Sequence, residues 1–300
     1  MFTGSIVALV TPFDEHEQID FAQVANLIDW HISQGTSAIV IAGTTGESAT
    51  LSDEDVIALA RFSATHNAKY GEKRIAIIAG NGCNCTRRSV ALTKQLNTTG
   101  IDGFLTVTPY YNKPSIDGLM AHYRAINNAS QLPILLYNVP SRTGCDLPVS
   151  LVAKLAELSQ VCGIKDATAE LARIAQYRQL CEGHFILLSG DDESATEFCK
   201  LGGDGVISVT ANLVPGVMAQ IQQFIKEEKY QQAELLDQQL AQLHKNLFVE
   251  SNPIPVKWAM QAIKRLPNAK MRLPLCPLST TGQQLVSATL ADLTQHFQEY

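Results

Sequence analysis

The residue with the clearest potential for chemistry is Lys165. It closes a short apolar run that begins at Val161 and has the length of a buried strand. Lysine is almost never fully buried without a purpose or a partner. Removal from water favours the neutral amine, which is the form that attacks a carbonyl carbon. A lysine whose ammonium group reaches solvent is the alternative, but the position favours a catalytic nucleophile.

Two further apolar runs end in side chains that could act beside such a lysine. Tyr137 closes one of them and could shuttle protons if its hydroxyl meets other hydroxyl groups. Arg142 follows and offers a planar guanidinium that suits a carboxylate, with a surface ion pair as the competing interpretation. Tyr110 and Tyr111 follow another run, between two prolines, where they could form a rigid loop or simply pack with bonded hydroxyls.

A glycine-rich segment, Gly43-Thr44-Thr45-Gly46-Glu47-Ser48, follows a fourth run. Glycines allow the backbone to approach a ligand closely. The hydroxyls of Thr44 and Thr45, with adjacent N–H groups, could hold a small carboxylate and relay a proton. An ordinary glycine-rich turn that ends in a helix cap would account for the same residues equally well.

Other segments could bind metals or nucleotides, but each has a simpler interpretation. Asp191, Asp192 and Glu193 could hold a divalent metal, although acids at a helix start are expected from the helix dipole. Gly80-Asn81-Gly82 lacks the third glycine of a dinucleotide fingerprint. Cys83-Asn84-Cys85 has no second pair to complete a zinc site. We therefore expect no metal, and neither a G-x-S-x-G nor an H-E-x-x-H motif is present.

The elements that must position these residues form a strand–helix alternation. Short apolar runs bounded by Gly, Pro, Asn or Asp are typical of parallel strands buried on both faces. Between them, residues such as Val24, Leu27, Ile28 and Ile32 recur at helical spacing. The alternation predicts a closed (β/α)8 TIM barrel, with a doubly wound open sheet as the alternative, and places chemistry at the carboxyl ends of the strands. The runs are residues 5–10, 38–42, 75–79, 104–108, 134–137, 161–165, 185–188 and 205–209.

After Leu213 the strand signal stops and only helical patterns remain. Leu236, Leu240, Leu243 and Leu247 mark one such helix. We therefore predict a barrel over residues 1–215 that carries the active site, followed by an all-helical C-terminal region over residues 216–300.

Composition limits the function classes. The 300 residues are 46% hydrophobic and 17% charged, as in a globular protein, and the net charge of -6 argues against nucleic acid as a partner. No apolar run approaches the ~18 residues of a membrane helix. The N-terminal segment lacks the basic start of a signal peptide. We expect a cytoplasmic protein whose seven cysteines stay reduced.

Taken in order, these segments resemble the dihydrodipicolinate synthase family, within the superfamily of pyruvate-dependent aldolases that also contains the sialic acid lyases. The resemblance covers essentially the whole chain. The motifs that carry it are Phe2-Thr-Gly-Ser-Ile-Val-Ala, Gly43-Thr-Thr-Gly-Glu-Ser, Val107-Thr-Pro-Tyr-Tyr-Asn, Tyr137-Asn-Val-Pro-Ser-Arg-Thr-Gly, Gly163-Ile-Lys and Asn252-Pro-Ile-Pro-Val-Lys.

The resemblance implies a proton-relay mechanism around a covalent adduct. Lys165 would form a Schiff base with pyruvate, and Tyr137 would pass protons during its formation. Thr45 and Tyr111 would complete the relay with support from Thr44, and Tyr111 would be shared between neighbouring subunits. Such chemistry requires no metal and no cofactor beyond the covalent adduct.

The resemblance also implies where the substrates bind. The pyruvate carboxylate would sit on the Thr44–Thr45 turn, helped by the backbone of Ile207. Arg142 would receive the carboxylate of aspartate semialdehyde. The sialic acid branch typically lacks that arginine, so aspartate semialdehyde is favoured over a sugar-like aldehyde. The family usually forms homotetramers built as dimers of dimers.

The resemblance also implies a site for inhibition by lysine, although three of its residues differ from those of lysine-inhibited members. Ser48, Ala49, Asn84 and Tyr110 match the residues that bind inhibitory lysine at a subunit interface. Asp53 and Val56 stand where inhibited members resemble a histidine pair, and Arg88 replaces a glutamate. An added positive charge should repel a cationic ligand unless Asp53 compensates. We therefore hypothesise that lysine inhibition is weak or absent.

Two other functions stay open at this stage. One is a related pyruvate aldolase that uses a different aldehyde. The other is a non-catalytic paralogue that acts as a binding protein. Every matched catalytic position is filled, which argues against the second.

Overall fold

Eight parallel strands form a closed barrel in sequence order, with β1 hydrogen-bonded to both β2 and β8. The computed structural model describes residues 2–181, 183 and 185–296. Its strands coincide with the eight predicted runs to within one or two residues at each end, so the predicted TIM barrel is confirmed. The strands are β1 Gly4–Ala8, β2 Ala38–Ile41, β3 Ala76–Gly80, β4 Gly103–Val107, β5 Ile134–Asn138, β6 Val161–Asp166, β7 Ile186–Ser189 and β8 Gly205–Ser208.

The strands are apolar throughout because both of their faces are buried. In β1, Ile6 and Ala8 pack inside the barrel with Val40, whereas Val7 packs outward with Ile39 against the helices. Successive strand residues point to opposite faces, so each strand must supply apolar side chains to two layers. This explains the continuous apolar runs in the sequence.

Helices follow the strands and cover the barrel. Several begin at a side-chain cap: Ser52 and Asp55 form a reciprocal capping box at α2, and Ser115 accepts the backbone N–H of Gly118 at α4. The helices are α1 Phe21–Ser33, α2 Asp53–Ala68, α3 Thr86–Leu96, α4 Ile116–Ala129, α5 Pro140–Thr143, α6 Val149–Ala156, α7 Ala172–Leu180, α8 Ala195–Lys200, α9 Pro215–Lys226, α10 Tyr230–Asn246, α11 Ile254–Ala262 and α12 Thr280–His296.

The region after β8 is helical, as predicted, and shares a core with the barrel. Helix α9 begins at Pro215 and contacts β1. Met218, Leu240 and Val286 belong to the same buried cluster as Val7. The division between residues 215 and 216 stays a prediction, and residues 297–300 of the predicted helical region lie outside the described residues. In the part of the chain that the structure describes, no helix is long and apolar enough to cross a membrane.

Candidate active site

Lys165 and Tyr137 lie side by side at the carboxyl ends of β6 and β5. They are register partners, and Lys165 Nζ lies 4.5 Å from the centroid of the Tyr137 ring. Both side chains are buried, with 5% and 6% of their surface exposed. Among the described residues, no carboxylate lies within 4.0 Å of Lys165 Nζ. The Lys165 amine is therefore buried directly against the phenol ring of Tyr137. No carboxylate of the described residues is paired with it.

Gly190 makes room for the lysine from the end of β7. A Cβ atom at this position would lie 2.8 Å from Lys165 Cε and 2.7 Å from the Ala167 side chain. Both distances are shorter than any ordinary contact, so only glycine leaves the lysine in place. Its position at a strand end beside two acids is the signal that could have identified it from the sequence.

Thr45 is held by an amide from the other end of the chain. Asn252 Nδ2 donates to Thr45 Oγ1 over 2.9 Å, and both residues are buried. The backbone carbonyl of Asn252 accepts a bond from Arg142 Nη2 at 3.4 Å. Asn252 Oδ1 is buried and has no hydrogen-bond partner among the described residues. Asn252 was predicted only as part of a motif and not as a site residue. Its amide side chain at a helix break is the feature of the sequence that could have identified it.

A cavity of about 310 Å³ lies beside these residues. Thr44, Tyr137, Arg142 and Asn252 line it. Lys165 does not itself line the cavity. Its amine lies over the ring of Tyr137, and Tyr137 does line the cavity. Among the described residues Arg142 forms no ion pair, so its guanidinium is not committed to a carboxylate of the chain.

Ile207 and Tyr111 occupy different places. Ile207, on β8, is buried in the barrel interior in one cluster with Tyr137, but it does not line the cavity. Tyr111 is 88% exposed with a φ of 75°, and it does not line the cavity. Within one chain the structure therefore does not bring Tyr111 to Lys165. Its role in a shared site stays a prediction.

The Thr44–Thr45 turn is anchored by a buried ion pair. Lys257 Nζ, on α11, donates to Glu47 Oε1 at 2.6 Å and to the carbonyls of Thr11 and Lys270. The other Glu47 oxygen accepts from the backbone N–H of Arg272. Burial raises the pKa of Glu47 and lowers that of Lys257, and their mutual attraction opposes both shifts. The pair fastens the C-terminal helices to the turn.

The residues of the implied lysine site also border the cavity. Ser48, Ala49 and Tyr110 line it, and Arg88 and Asp53 do so as an ion pair at 2.9 Å. The hydrogen bond that Arg88 donates to Asp53 holds the pKa of Arg88 above its usual range. Val56 also lines the cavity, whereas the Asn84 backbone bonds Tyr110. Asp53 thus offsets the charge of Arg88, the compensation that the sequence hypothesis left open.

The segments that could have bound metals or nucleotides have structural partners. Asp191 Oδ2 accepts bonds from Ser194, beside the start of α8, and Asp192 Oδ2 accepts the backbone N–H groups of Val209 and Thr210. A Cβ at Gly80 would lie 2.1 Å from the Ala42 carbonyl oxygen, so this glycine serves backbone packing. Within the described ranges, no group of three His, Cys, Asp or Glu side chains is arranged to hold a metal ion. All seven cysteines are described and free.

Comparisons with known proteins agree on one family. The model of the dihydrodipicolinate synthetase family matches residues 1–293. A relative from Sodalis glossinidius (strain morsitans), named 4-hydroxy-tetrahydrodipicolinate synthase, is 48% identical over 292 residues, which cover 97% of this chain and 99% of that protein.

Solved structures give the same answer for the fold. The chloride-inhibited dihydrodipicolinate synthase of Acinetobacter baumannii in complex with pyruvate superposes with a TM-score of 0.92 at 44% identity, covering 97% of this chain and 99% of that one. Dihydrodipicolinate synthase from Aquifex aeolicus superposes with a TM-score of 0.94 at 37% identity, covering 98% of each chain. Because each superposition covers nearly the whole chain, the similarity includes both the barrel and the C-terminal helices.

Proposed function

Because this chain belongs to the dihydrodipicolinate synthetase family, we propose that it is a lyase that condenses pyruvate with L-aspartate 4-semialdehyde. The product is 4-hydroxy-tetrahydrodipicolinate, and the reaction is the first committed step of diaminopimelate and lysine biosynthesis. The observation that carries the proposal is the buried Lys165 amine, 4.5 Å from the Tyr137 ring centroid beside a cavity lined by Arg142. The pyruvate complex of the Acinetobacter baumannii relative supports pyruvate as the first substrate.

Lys165 begins the reaction by attacking the keto carbon of pyruvate. A carbon–nitrogen bond forms and water leaves, giving an iminium ion. Tyr137 supplies and removes the protons of this step, because its ring lies against the amine. The iminium makes the neighbouring methyl group acidic. Loss of one methyl proton gives an enamine, which is the carbon nucleophile of the condensation.

Thr45 serves as the second member of the proton relay. Asn252 Nδ2 donates to its Oγ1, which occupies one acceptor position of the hydroxyl. The hydroxyl hydrogen is then free to be donated toward Tyr137, and this arrangement gives the relay a direction. Thr44 and the backbone of Ile207 hold the pyruvate carboxylate at the same end of the barrel.

Arg142 and Asn252 receive the second substrate. The guanidinium binds the carboxylate of aspartate semialdehyde, and the unpartnered Asn252 Oδ1 accepts a bond from its ammonium group. The enamine attacks the aldehyde carbon. The substrate ammonium then loses a proton, and the resulting amine attacks the imine carbon. The bond from that carbon to Lys165 Nζ breaks, which closes the ring and regenerates the free lysine. The reaction needs no metal and no nucleotide, and we place it in the cytoplasm.

The test is an intact-mass measurement after incubation with pyruvate and borohydride. Wild-type protein should gain one reduced pyruvate adduct, and Lys165→Ala should gain none. Folded wild-type protein that gains no adduct would contradict the Schiff base. A binding protein without catalysis would also remain untrapped, so the same spectrum excludes that alternative.

The identity of the aldehyde needs a separate test. Arg142→Ala should leave pyruvate trapping intact but raise the KM for aspartate semialdehyde and lower kcat/KM by about 100-fold, which corresponds to about 2.7 kcal/mol of charge-assisted bonding. Unchanged kinetics with aspartate semialdehyde would favour a related aldolase that acts on another aldehyde.

A further inference from the structure

At the carboxyl ends of β5 and β6, the Tyr137–Lys165 pair is followed by a second pair of residues. Tyr137 pairs with Lys165, and the next residues, Asn138 and Asp166, pair with each other as the last residues of β5 and β6. Side chains alternate between the two faces of a strand. Asn138 and Asp166 therefore point away from the barrel interior, toward the covering helices, where both are buried.

Each side-chain nitrogen and oxygen atom of these two residues forms a hydrogen bond. Asn138 Nδ2 donates to Asp146 Oδ1 at 2.8 Å, and its Oδ1 accepts the backbone N–H of Leu147 at 3.0 Å. Asp166 accepts the Tyr177 hydroxyl at 2.6 Å on one oxygen and the backbone N–H of Thr168 at 2.8 Å on the other.

Helix α7 joins the two sets of bonds. Arg173 forms a two-pronged bond with Asp146, at 2.9 and 3.1 Å. Arg173 and Tyr177 are four residues apart on α7, so they share one face of the helix, where the nearby guanidinium opposes the rise that burial causes in the pKa of Tyr177. Side-chain bonds thus connect Asn138 on β5 to Arg173, and Tyr177, on the same face of α7, to Asp166 on β6.

We propose that this chain of side chains, the α7 brace (Asn138, Asp146, Arg173, Tyr177 and Asp166), positions Lys165 against Tyr137 for imine formation. The inference rests on the proposed function. Beyond the last strand pair, the backbone bond from Ala167 N to the Asn138 carbonyl joins the carboxyl ends of the two segments. The brace adds side-chain bonds at the point where the sheet ends.

The rate of imine formation depends on how Lys165 is aligned with Tyr137 and the substrate. Attack on a carbonyl requires reacting atoms about 3–3.5 Å apart, and a displacement of 1 Å can cost about 100-fold in rate. Residues of the brace do not touch the substrate, so they act as positioning residues. Loss of the brace should lower the rate of imine formation more than it alters pyruvate affinity.

The same helix supplies a matched control. Arg178, also on α7, donates to the carbonyls of Phe185 and Gly202 and to Asp204, at 2.6 to 2.8 Å. These partners precede β7 and β8, at the opposite end of the barrel from Lys165. Arg178→Gln therefore removes a comparable set of bonds between α7 and the barrel without touching the brace.

The experiment compares Arg173→Gln with Arg178→Gln by timed borohydride quenching after mixing with pyruvate, together with thermal unfolding. Arg173→Gln should slow adduct formation by about 10- to 100-fold, with a KM for pyruvate within about threefold of wild type. Arg173→Lys keeps the charge but not the two-pronged geometry, and should recover little of the rate. Arg178→Gln should change the rate by less than about twofold while lowering the unfolding temperature.

A second comparison separates positioning from general destabilisation. In a Tyr137→Phe background, the Arg173→Gln change should cost less than about threefold, because the alignment that it disturbs no longer contributes. An equal cost in both backgrounds, or equal rates for Arg173→Gln and Arg178→Gln, would overturn the brace and leave the proposed function intact. Wild-type protein that is never trapped would overturn both. If Arg173→Gln does not fold, Tyr177→Phe carries the test, with an expected loss of about 3- to 10-fold.

Discussion

Two buried lysines illustrate how surroundings decide what one residue type does. Lys257 is completely buried, and three oxygen atoms, one from Glu47, surround its amine. Lys165 is almost as buried, yet its neighbour is the ring of Tyr137 and no carboxylate of the described chain pairs with it. The first lysine is held by partners within the chain, whereas the amine of the second has no carboxylate partner among the described residues and is the nucleophile that we propose.

Lys257→Met should destabilise the protein by about 3–5 kcal/mol, because Glu47 would remain buried without its partner. The double variant Lys257→Met/Glu47→Gln should recover about 2 kcal/mol of that loss. Urea unfolding measures both. Lys270→Met removes only an exposed pair with Glu15 and should cost less than about 1 kcal/mol. Equal losses for the Lys257 and Lys270 variants would contradict a structural role for the buried pair.

At the scale of elements, sequence periodicity predicted every strand of the barrel. The barrel buries both faces of each strand, so every strand is marked by an apolar run, as β1 and β2 show. The residues at the strand ends, including Tyr137 and Lys165, could be found because TIM barrels place their chemistry there.

Contacts between distant segments could not be predicted in this way. Asn252 bonds Thr45 across 207 positions, and Arg173 reaches Asp146 from a neighbouring helix. No period in the sequence connects such residues. Their partners are decided by how helices pack on the barrel, which a single sequence does not encode as a local pattern.

The bond between helices α2 and α3 bears on inhibition by lysine. Arg88, on α3, pairs with Asp53, the first residue of α2, on the wall of the cavity. The pair carries no net charge, and the Asp53 carboxylate is already engaged by Arg88, so neither side chain offers a free anionic group to a cationic ligand. Lysine should therefore inhibit the condensation weakly or not at all.

A rate titration with L-lysine at saturating pyruvate tests this expectation. Arg88→Glu removes the positive charge and frees Asp53, so this variant should be more sensitive to lysine than the wild type. Arg87→Glu, on the same turn but outside the cavity lining, serves as the control. Strong inhibition of the wild type at submillimolar lysine would refute the hypothesis.

At the scale of the whole molecule, the exposure of Tyr111 points beyond a single chain. An aromatic side chain that is 88% exposed on a positive-φ residue has no packing role within its own subunit. We expect four chains of 32.7 kDa to assemble, with Tyr111 entering the site of a neighbour. Light scattering coupled to size-exclusion chromatography gives the mass.

Mixing two inactive variants tests whether the site is shared. Lys165→Ala lacks the nucleophile, and Tyr111→Phe lacks the relay hydroxyl, so each alone should lose most activity. When the two are unfolded and refolded together, mixed assemblies should regain activity, because one site then receives Lys165 from one chain and Tyr111 from the other. If Tyr111 serves its own subunit, mixing restores nothing.

The closure of the barrel also governs when a newly made chain can become an enzyme. β1 pairs with β8, and Gly4 lies opposite Gly205, so the first strand keeps an open edge until some 200 further residues have left the ribosome. At about 5–20 residues per second, that wait lasts roughly 10–40 s. Asn252 and Lys257 are synthesised later still, and only they complete the bonds to Thr45 and Glu47. A nascent chain is therefore exposed to misassembly for most of its synthesis, and an interrupted one lacks the bonds that hold its active site.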